Sequence, residues 1–457
     1  KENNYFCSII IDKERCGIAL LDYSTGEFFT CSRNTKSLIS ILKQFNVCEI
    51  IITESQEEYL QSLLLGDNIF ITKIPDWCNS YDTAYDLLIS SFDVSSLKGF
   101  GIEEDSLAII SAGCAFYYIK NNYQDKVKHI QSVSILQKDG VMGLDSFTVK
   151  NLEIFQSLSS QGIHGTLVST IDYTKTGPGS RLLKNWLRQP LLDVKKINNR
   201  LDGISEFLEN LEMLENIQSI LEQISDIERI IAKVSALKAG PRDLLNIGIS
   251  LSKIPIIIQI INSVSLKKVI KNFSNTDKLS KLIINYIKED PPILFKSGGY
   301  ISDGISSQLD ELRNLSSHAS QWMLDMQEKE RKQNDIPSLK VGYNRVFGYY
   351  LEVTKTHINK VPNYYIRKQT LTNSERYFTE ELKEYEEKIL SAEEKIINLE
   401  FEIFNDLQNK IMKSVVEIQN NAKILAYLDV ISGLSEYSCH CVQLIIGIFN
   451  ILFKFLR

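Results

Sequence analysis

Two stretches of heptad spacing, separated by a segment of different chemistry, constrain this chain more than any other feature. Ile305, Leu309, Leu312, Ser316, Ala319, Met323 and Met326 recur in alternating four- and three-residue steps, which places an apolar or small stripe along one face of a helix. From Glu380 onward, Leu382, Tyr385, Ile389, Ala392, Ile396, Leu399 and Ile403 keep the same spacing. The pattern continues after a local slip through Leu407, Ile411, Val415, Ile418, Ala422 and Leu425. Such stripes need a partner, so the spacing predicts an antiparallel helix pair with the intervening residues at its tip.

The tip differs in kind. Between Pro337 and Arg376, the seven cations Lys340, Arg345, Lys355, Lys360, Arg367, Lys368 and Arg376 face only two acids, Glu352 and Glu375. Apolar and aromatic residues alternate at Leu339, Val341 and Tyr343 and again at Tyr349, Leu351 and Val353, a period of two that predicts strands. The following Glu380 to Glu402 carries nine Glu and three Lys. A small cationic sheet on an acidic stalk is suited to a polyanion: Lys and Arg neutralise phosphates, and side chains such as Thr370 and Asn373 donate to phosphate oxygens without reading sequence. The competing reading is a solvated basic surface over a small aromatic core.

Upstream, short β-branched runs at Phe6–Ile11, Gly17–Asp22, Glu27–Cys31 and Glu49–Thr53 alternate with turn residues and with helix-patterned segments at Ser37–Phe45 and Glu57–Leu65. This predicts a small α/β domain ending near residue 120, where a polar linker-type stretch begins. From about residue 145 to 300, Ile and Leu fall at helical spacing with stops at Pro190, Gly240-Pro241 and Pro291-Pro292, which predicts a helical bundle.

The net charge of −6 excludes a uniformly basic nucleic-acid binder but not a local basic patch. Eight cysteines without a C-x-x-C pair point to a reducing compartment. Cys439-His440-Cys441 lacks the second pair of ligands that a zinc site needs, so no metal is expected. No segment reads as the ~18 to 20 apolar residues of a membrane span, and a cytoplasmic location is expected. The chain starts at Lys1 without a signal pattern, as an excerpt of a longer protein would. No G-x-x-x-x-G-K-[ST] loop occurs; Gly177-Pro178-Gly179-Ser180 reads as a turn into a helix capped near Ser180. The five histidines are scattered. Asp12, Asp22 and Glu49 sit on strand-like segments, where a magnesium nuclease would place carboxylates, but nothing in the sequence fixes their convergence. No catalytic or cofactor-binding residue is therefore expected.

Three blocks resemble the bacterial-type MutS DNA mismatch-repair family: GIALLDYSTGEF from Gly17, GLDSFTVKNLEI from Gly143 with GTLVSTIDYTKTGPGSRLLKNWLRQPLLD from Gly165, and SLKVGYNRVFGYYLEVTK from Ser338 with VPNYYIRKQTLTNSERYFTEELKEYEEKIL from Val361. The resemblance implies a multi-domain α and α/β protein. An RNase-H-like connector without nuclease activity would span 1–120. A helical core with long levers would occupy 121–324 and 380–437, with a β-rich clamp at 325–379 between the levers and a divergent apolar tail at 438–457, such as a reading-frame change produces.

By position, Arg367, Lys368, Thr370 and Asn373 are the implied phosphate contacts, with Lys355 and Asn344 as weaker ones. Gly348 and Pro362 would shape the sheet, while Asp145, Asn151, Glu153 and Arg181 would serve domain packing. The family's Phe-x-Glu mismatch wedge and its ATPase have no counterpart in these residues; Phe207-Leu208-Glu209 matches the wedge only by chance, inside a helical segment.

The implied partners are duplex DNA, a second copy in a weakened dimer, and downstream repair proteins such as MutL through the connector. ATP and magnesium would serve the full-length family. The alternatives are a structural helical arm docking an acidic protein, the magnesium nuclease, and a recombination-type homologue of the same family.

Overall fold

The computed structural model describes residues 3–63, 69–123, 127–136, 141–144, 146–160, 162–292, 298–344 and 348–455, without the side chains of 61–63, 146, 315–321, 344, 388–390 and 442–455. It divides into two compact units, one of residues 1–239, 243–284 and 408–457, the other of 240–242 and 285–407.

In the first unit, strands β1 (Phe6–Asp12), β2 (Arg15–Asp22), β3 (Glu27–Asn34), β4 (Glu49–Thr53), β5 (Phe70–Ile74) and β6 (Ser134–Ile135) form one sheet in the order β5-β4-β1-β2-β3-β6. β1, β2 and β3 are an antiparallel meander, whereas β4, β5 and β6 join parallel to their neighbours. Alternation along β1 sends Phe6 and Ile10 to one apolar layer and Cys7 and Ile9 to the other, as the two-residue strand period requires. Helix α1 (Ser106–Asn122) covers the first layer with Ile109, Ala112 and Phe116. The sheet continues past the boundary expected near residue 120, because Ser134–Ile135 pairs with Phe29–Thr30.

His129 lies in this layer, 1% exposed. Its Nε2–H donates to the Tyr23 carbonyl at 2.7 Å, and Nδ1 has no hydrogen-bond partner among the described residues. Burial pushes its pKa down to about 4. An unfolded histidine titrates near 6.5, so below that pH the unfolded state takes up a proton that the folded state refuses. Stability should fall by about 2–3 kcal/mol as pH drops from 6.5 to 4. Denaturation midpoints across this window should flatten in His129→Gln.

The helical part of the same unit includes α2 (Gly177–Arg188). Its N-cap is Thr176, whose hydroxyl accepts from the Gly179 N–H at 3.0 Å. The expected cap near Ser180 is thus four residues late, because Pro178 fits the first helical turn, where its missing N–H costs nothing. Phe207 is buried within the helix Val194–Glu209, as core rather than wedge. Pro241–Ile260 is long and apolar enough by composition to cross a membrane, with mean hydropathy 1.4, contrary to the sequence reading. It breaks at Lys253 into Pro241–Ser252 and Ile254–Ile260, and 44% of it is buried.

In the second unit, α3 (Ser307–Asn334) and α4 (Glu380–Met412) carry the two heptad stripes. Trp322 stacks on Tyr385 at 3.7 Å, Lys329 reaches Glu381 at 3.3 Å, and Arg313 pairs with Glu400. Numbers rising along one helix meet numbers falling along the other, so the pair is antiparallel. The slip in the second stripe begins inside α4, with four-residue steps from Ile403 through Leu407 to Ile411, and its last step spans a break: α4 ends at Met412, and α5 (Val415–Phe455) begins a new helix.

Candidate nucleic-acid interface

Between α3 and α4 the chain forms β7 (Lys340–Asn344), β8 (Gly348–Thr354), β9 (Ile366–Thr370) and β10 (Ser374–Phe378), an antiparallel sheet ordered β7-β8-β10-β9. One face is the predicted apolar face: Leu339, Leu351, Val353 and Tyr377 are buried against Met326 and Ile336 of the α3 side and Leu382 of α4. The other face carries Lys340, Tyr350, Glu352, Gln369 and Arg376.

The sheet is anchored by buried acids. The Glu330 carboxylate, 3% exposed, accepts from the Tyr364 and Tyr365 hydroxyls at 2.9 and 2.8 Å and from Asn334 Nδ2 at 2.7 Å. Burial, and then the bond to Glu330, push the Tyr365 phenol well above its ordinary range. Glu375, 8% exposed, accepts from the Tyr377 hydroxyl; burial and that bond push Tyr377 up to about 12.

The six implied contacts do not form one cluster. β8 starts at Gly348, whose neighbour Tyr349 donates its N–H to Glu386, two turns into α4, and runs outward toward Thr354. The far end of the sheet therefore holds Lys355, Thr370 and Asn373: the Lys355 N–H donates to the Asn373 carbonyl at 3.1 Å, and Leu371 closes the β9–β10 turn on Ser374 at 2.8 Å. All three are exposed. Asn344 pairs with Gly348 at the opposite end; its side chain lies outside the described residues, as does Arg345.

Arg367 and Lys368 are separated by a register shift between Arg376 and Tyr377, which leaves Lys368 as the extra residue on β9. Such a bulge re-aims side chains. Arg367 turns to the buried Glu375 at 3.6 Å, while Lys368 lies over the Phe378 ring at 5.2 Å.

The charge is also less free than its sum suggests. Arg376 bonds Glu352 at 2.9 Å and lies over the Tyr350 ring at 4.1 Å; Lys360 holds Asp335 at 2.5 Å. Lys340 and Lys355 are the exposed cations of this sheet and its turns without an ion pair among the described residues.

The acids weighed for a nuclease do not converge. Asp22 accepts from the backbone of Asn4 and Ser24, Glu49 accepts from Thr72 and Tyr118, and Asp12 lies at the other end of β1. Among the described residues, no three His, Cys, Asp or Glu side chains gather where they could hold a metal ion. Of the residues assigned to packing, Arg181 is buried between Asp226 and Glu228 and Glu153 accepts from Ser157; Asn151 is exposed and Asp145 lies outside the described residues.

A mixed α/β layer, a helical core, and an antiparallel helix pair carrying a small cationic sheet define a multidomain protein with a charged insertion between coiled arms. Sequence comparison agrees: MutS domain II matches residues 4–131 and MutS domain III matches 147–435. The chain belongs to the MutS family. It is 38% identical over 443 residues to the DNA mismatch repair protein MutS of Salinibacter ruber, covering 95% of this chain and 49% of that protein. Identity to the MutS of Flavobacterium johnsoniae is 38% over 439 residues, covering 95% and 50%. For that of Cytophaga hutchinsonii it is 39% over 388 residues, covering 84% and 45%. The chain spans about half the length of these relatives.

Proposed function

We propose that this chain is the connector, lever and clamp portion of a DNA mismatch-repair protein, and that its clamp contacts the backbone of duplex DNA without reading sequence. One observation carries this reading: Lys355, Thr370 and Asn373 come together, exposed, at the far end of a sheet held by paired helices. A cation with neighbouring hydroxyl and amide donors suits phosphate oxygens and offers no set of groups aimed at base edges. The antiparallel β1–β3 meander followed by parallel β4 and β5 supports an RNase-H-like connector; in this reading it docks downstream repair proteins such as MutL. Mismatch recognition, ATP hydrolysis with magnesium, and the main dimer contacts belong to the portion of the family's length that this chain does not span.

Binding to a labelled homoduplex should give log K against log salt a slope of about −3 to −5, for ~4 to 6 neutralised phosphates. Removing two cations in Lys355→Ala/Lys368→Ala should flatten that slope by about 2 and weaken binding roughly 50-fold near 0.1 M salt. These positions are preferable to Arg367, whose reversal would set a second carboxylate beside Glu375. Unchanged affinity in the double variant would remove the sheet from the contact.

A further inference from the structure

We propose that Arg200, Lys196 and Lys423 form a phosphate-binding site in the helical part of the first unit, on an aromatic shelf made by Trp186 and Tyr427. The site lies in a different unit from the cationic sheet and rests on no part of the clamp reading. The Arg200 guanidinium, on the helix Val194–Glu209, lies over the Trp186 ring of α2, with Cζ 3.5 Å from the ring centroid. Trp186 in turn meets the Tyr427 ring of α5 edge-on at 5.7 Å. All three side chains are half-buried. Among the described residues, the guanidinium, the indole N–H and the Tyr427 hydroxyl have no hydrogen-bond or ion-pair partner. Burial pushes the Arg200 pKa down, and the Tyr427 phenol acts the other way; the guanidinium stays charged all the same. An arginine removed this far from water is normally paired with a carboxylate. Here the ring holds the cation in place, and its fork of N–H donors has no acceptor.

Two lysines flank one end of this shelf. Gly203 faces Ile431, and the Ser435 hydroxyl donates to the Ile204 carbonyl at 3.4 Å. Residue numbers therefore rise together along the helix Val194–Glu209 and α5. One turn before Arg200 comes Lys196, and one turn before Tyr427 comes Lys423. Helical side chains lean toward the N-terminus, which tilts Arg200 and Tyr427 toward that turn. Both lysines are exposed, and neither has an ion pair among the described residues. The neighbouring acids are engaged or turned away. Asp193 caps the helix, accepting from the Lys195 and Lys196 N–H groups at 2.9 and 3.3 Å. Asp429 is buried and accepts from Lys175 and Thr176. Asp202, two residues after Arg200, leaves the helix on its opposite side. Three cations, one of them a planar fork, suit a phosphate better than a carboxylate, because phosphate brings more charge and more acceptor oxygens to the same donors.

The test follows Trp186 emission in the full chain carrying Trp77→Phe and Trp322→Phe, which leaves Trp186 as its one tryptophan. Inorganic phosphate is titrated at an ionic strength held constant with chloride, and a short homoduplex is titrated separately. A saturable change with phosphate assigns the site to a free anion; one with the duplex alone assigns it to a nucleic-acid backbone. Either result supports the proposal when Arg200→Gln weakens the titration about 10- to 100-fold, as loss of a charge-assisted hydrogen bond predicts. Lys196→Ala/Lys423→Ala should weaken it about fivefold, as two exposed charges predict. Because these lysines are exposed and unpaired, their removal leaves the shelf intact and reads ligand contact alone. The absence of a saturable change with either anion overturns the proposal, and so does a lysine double variant that binds as tightly as its parent.

Discussion

Replacing Arg181 by leucine should destabilise the first unit by about 3–5 kcal/mol, the cost of leaving buried charge without its partner. The side chain is 2% exposed and bonds Asp226 through both terminal nitrogens, at 2.7 and 2.8 Å, and Glu228 at 2.6 Å. The carboxylates respond differently. Burial pushes Glu228 up to about 7 even though Arg181 pulls it down. For Asp226, burial is outweighed by the two-pronged bond to the guanidinium, and its carboxyl is held below the ordinary range.

Without the arginine, both acids should gain a proton on folding, so the folded pKa exceeds the unfolded one. Stability contributed that way is present at low pH and lost as pH rises. The deficit of Arg181→Leu relative to the wild type should therefore be largest above neutral pH and shrink toward pH 5. Urea midpoints followed by circular dichroism at pH 5.5 and 8.5 would show this, and a deficit that does not vary with pH would mean that Arg181 acts only by packing. Arg181→Lys should recover less than half, because a point charge cannot replace the planar fork that grips Asp226.

Local pattern carried much of the fold. The heptads that end at Met326 and begin at Leu382 specify the helix pair because stripe spacing and helix geometry share a period, and the two-residue alternation of β7 and β8 specifies which side chains enter the core. The candidate interface was only partly legible, because charge counts ignore register. Seven cations against two acids implied a broadly free positive surface. Strand pairing instead sets Arg376 beside Glu352, and the register shift on β9 turns Arg367 to Glu375 while Lys368 lies over Phe378.

Other features depended on partners distant in sequence. Asn344 sits next to a glycine that begins the neighbouring strand, so the hairpin takes it to the end of the sheet opposite Asn373. Arg200 carried no signal in the sequence because the Trp186 ring beneath it and the Tyr427 ring beyond lie on two other helices. The start of α2 is set by Thr176 together with Asp429, 253 residues away.

That last pairing carries a prediction of similar size. Gly179→Ala should cost about 3 kcal/mol, near the upper range for overpacking a well-filled site. A methyl group there would stand 2.0 Å from Asp429 Oδ2 and 2.6 Å from its Cγ. The carboxylate cannot step aside cheaply: it is fully buried and accepts from the Lys175 N–H at 2.8 Å, the Thr176 N–H at 2.8 Å and the Thr176 hydroxyl at 2.6 Å. Displacing it would strand two buried amide donors, each costing about 1–3 kcal/mol.

Asp429→Ser by itself should cost about 2 kcal/mol for the weakened bonds, yet its shorter side chain makes room for the methyl group. Adding Gly179→Ala to that background should then cost less than about 0.5 kcal/mol, a coupling of roughly 2–3 kcal/mol between residues in contact. Additive losses in the double-mutant cycle would place the glycine's importance in backbone freedom instead. That is the weaker expectation, because Gly179 is an ordinary helical residue without positive φ and alanine is the better helix former there.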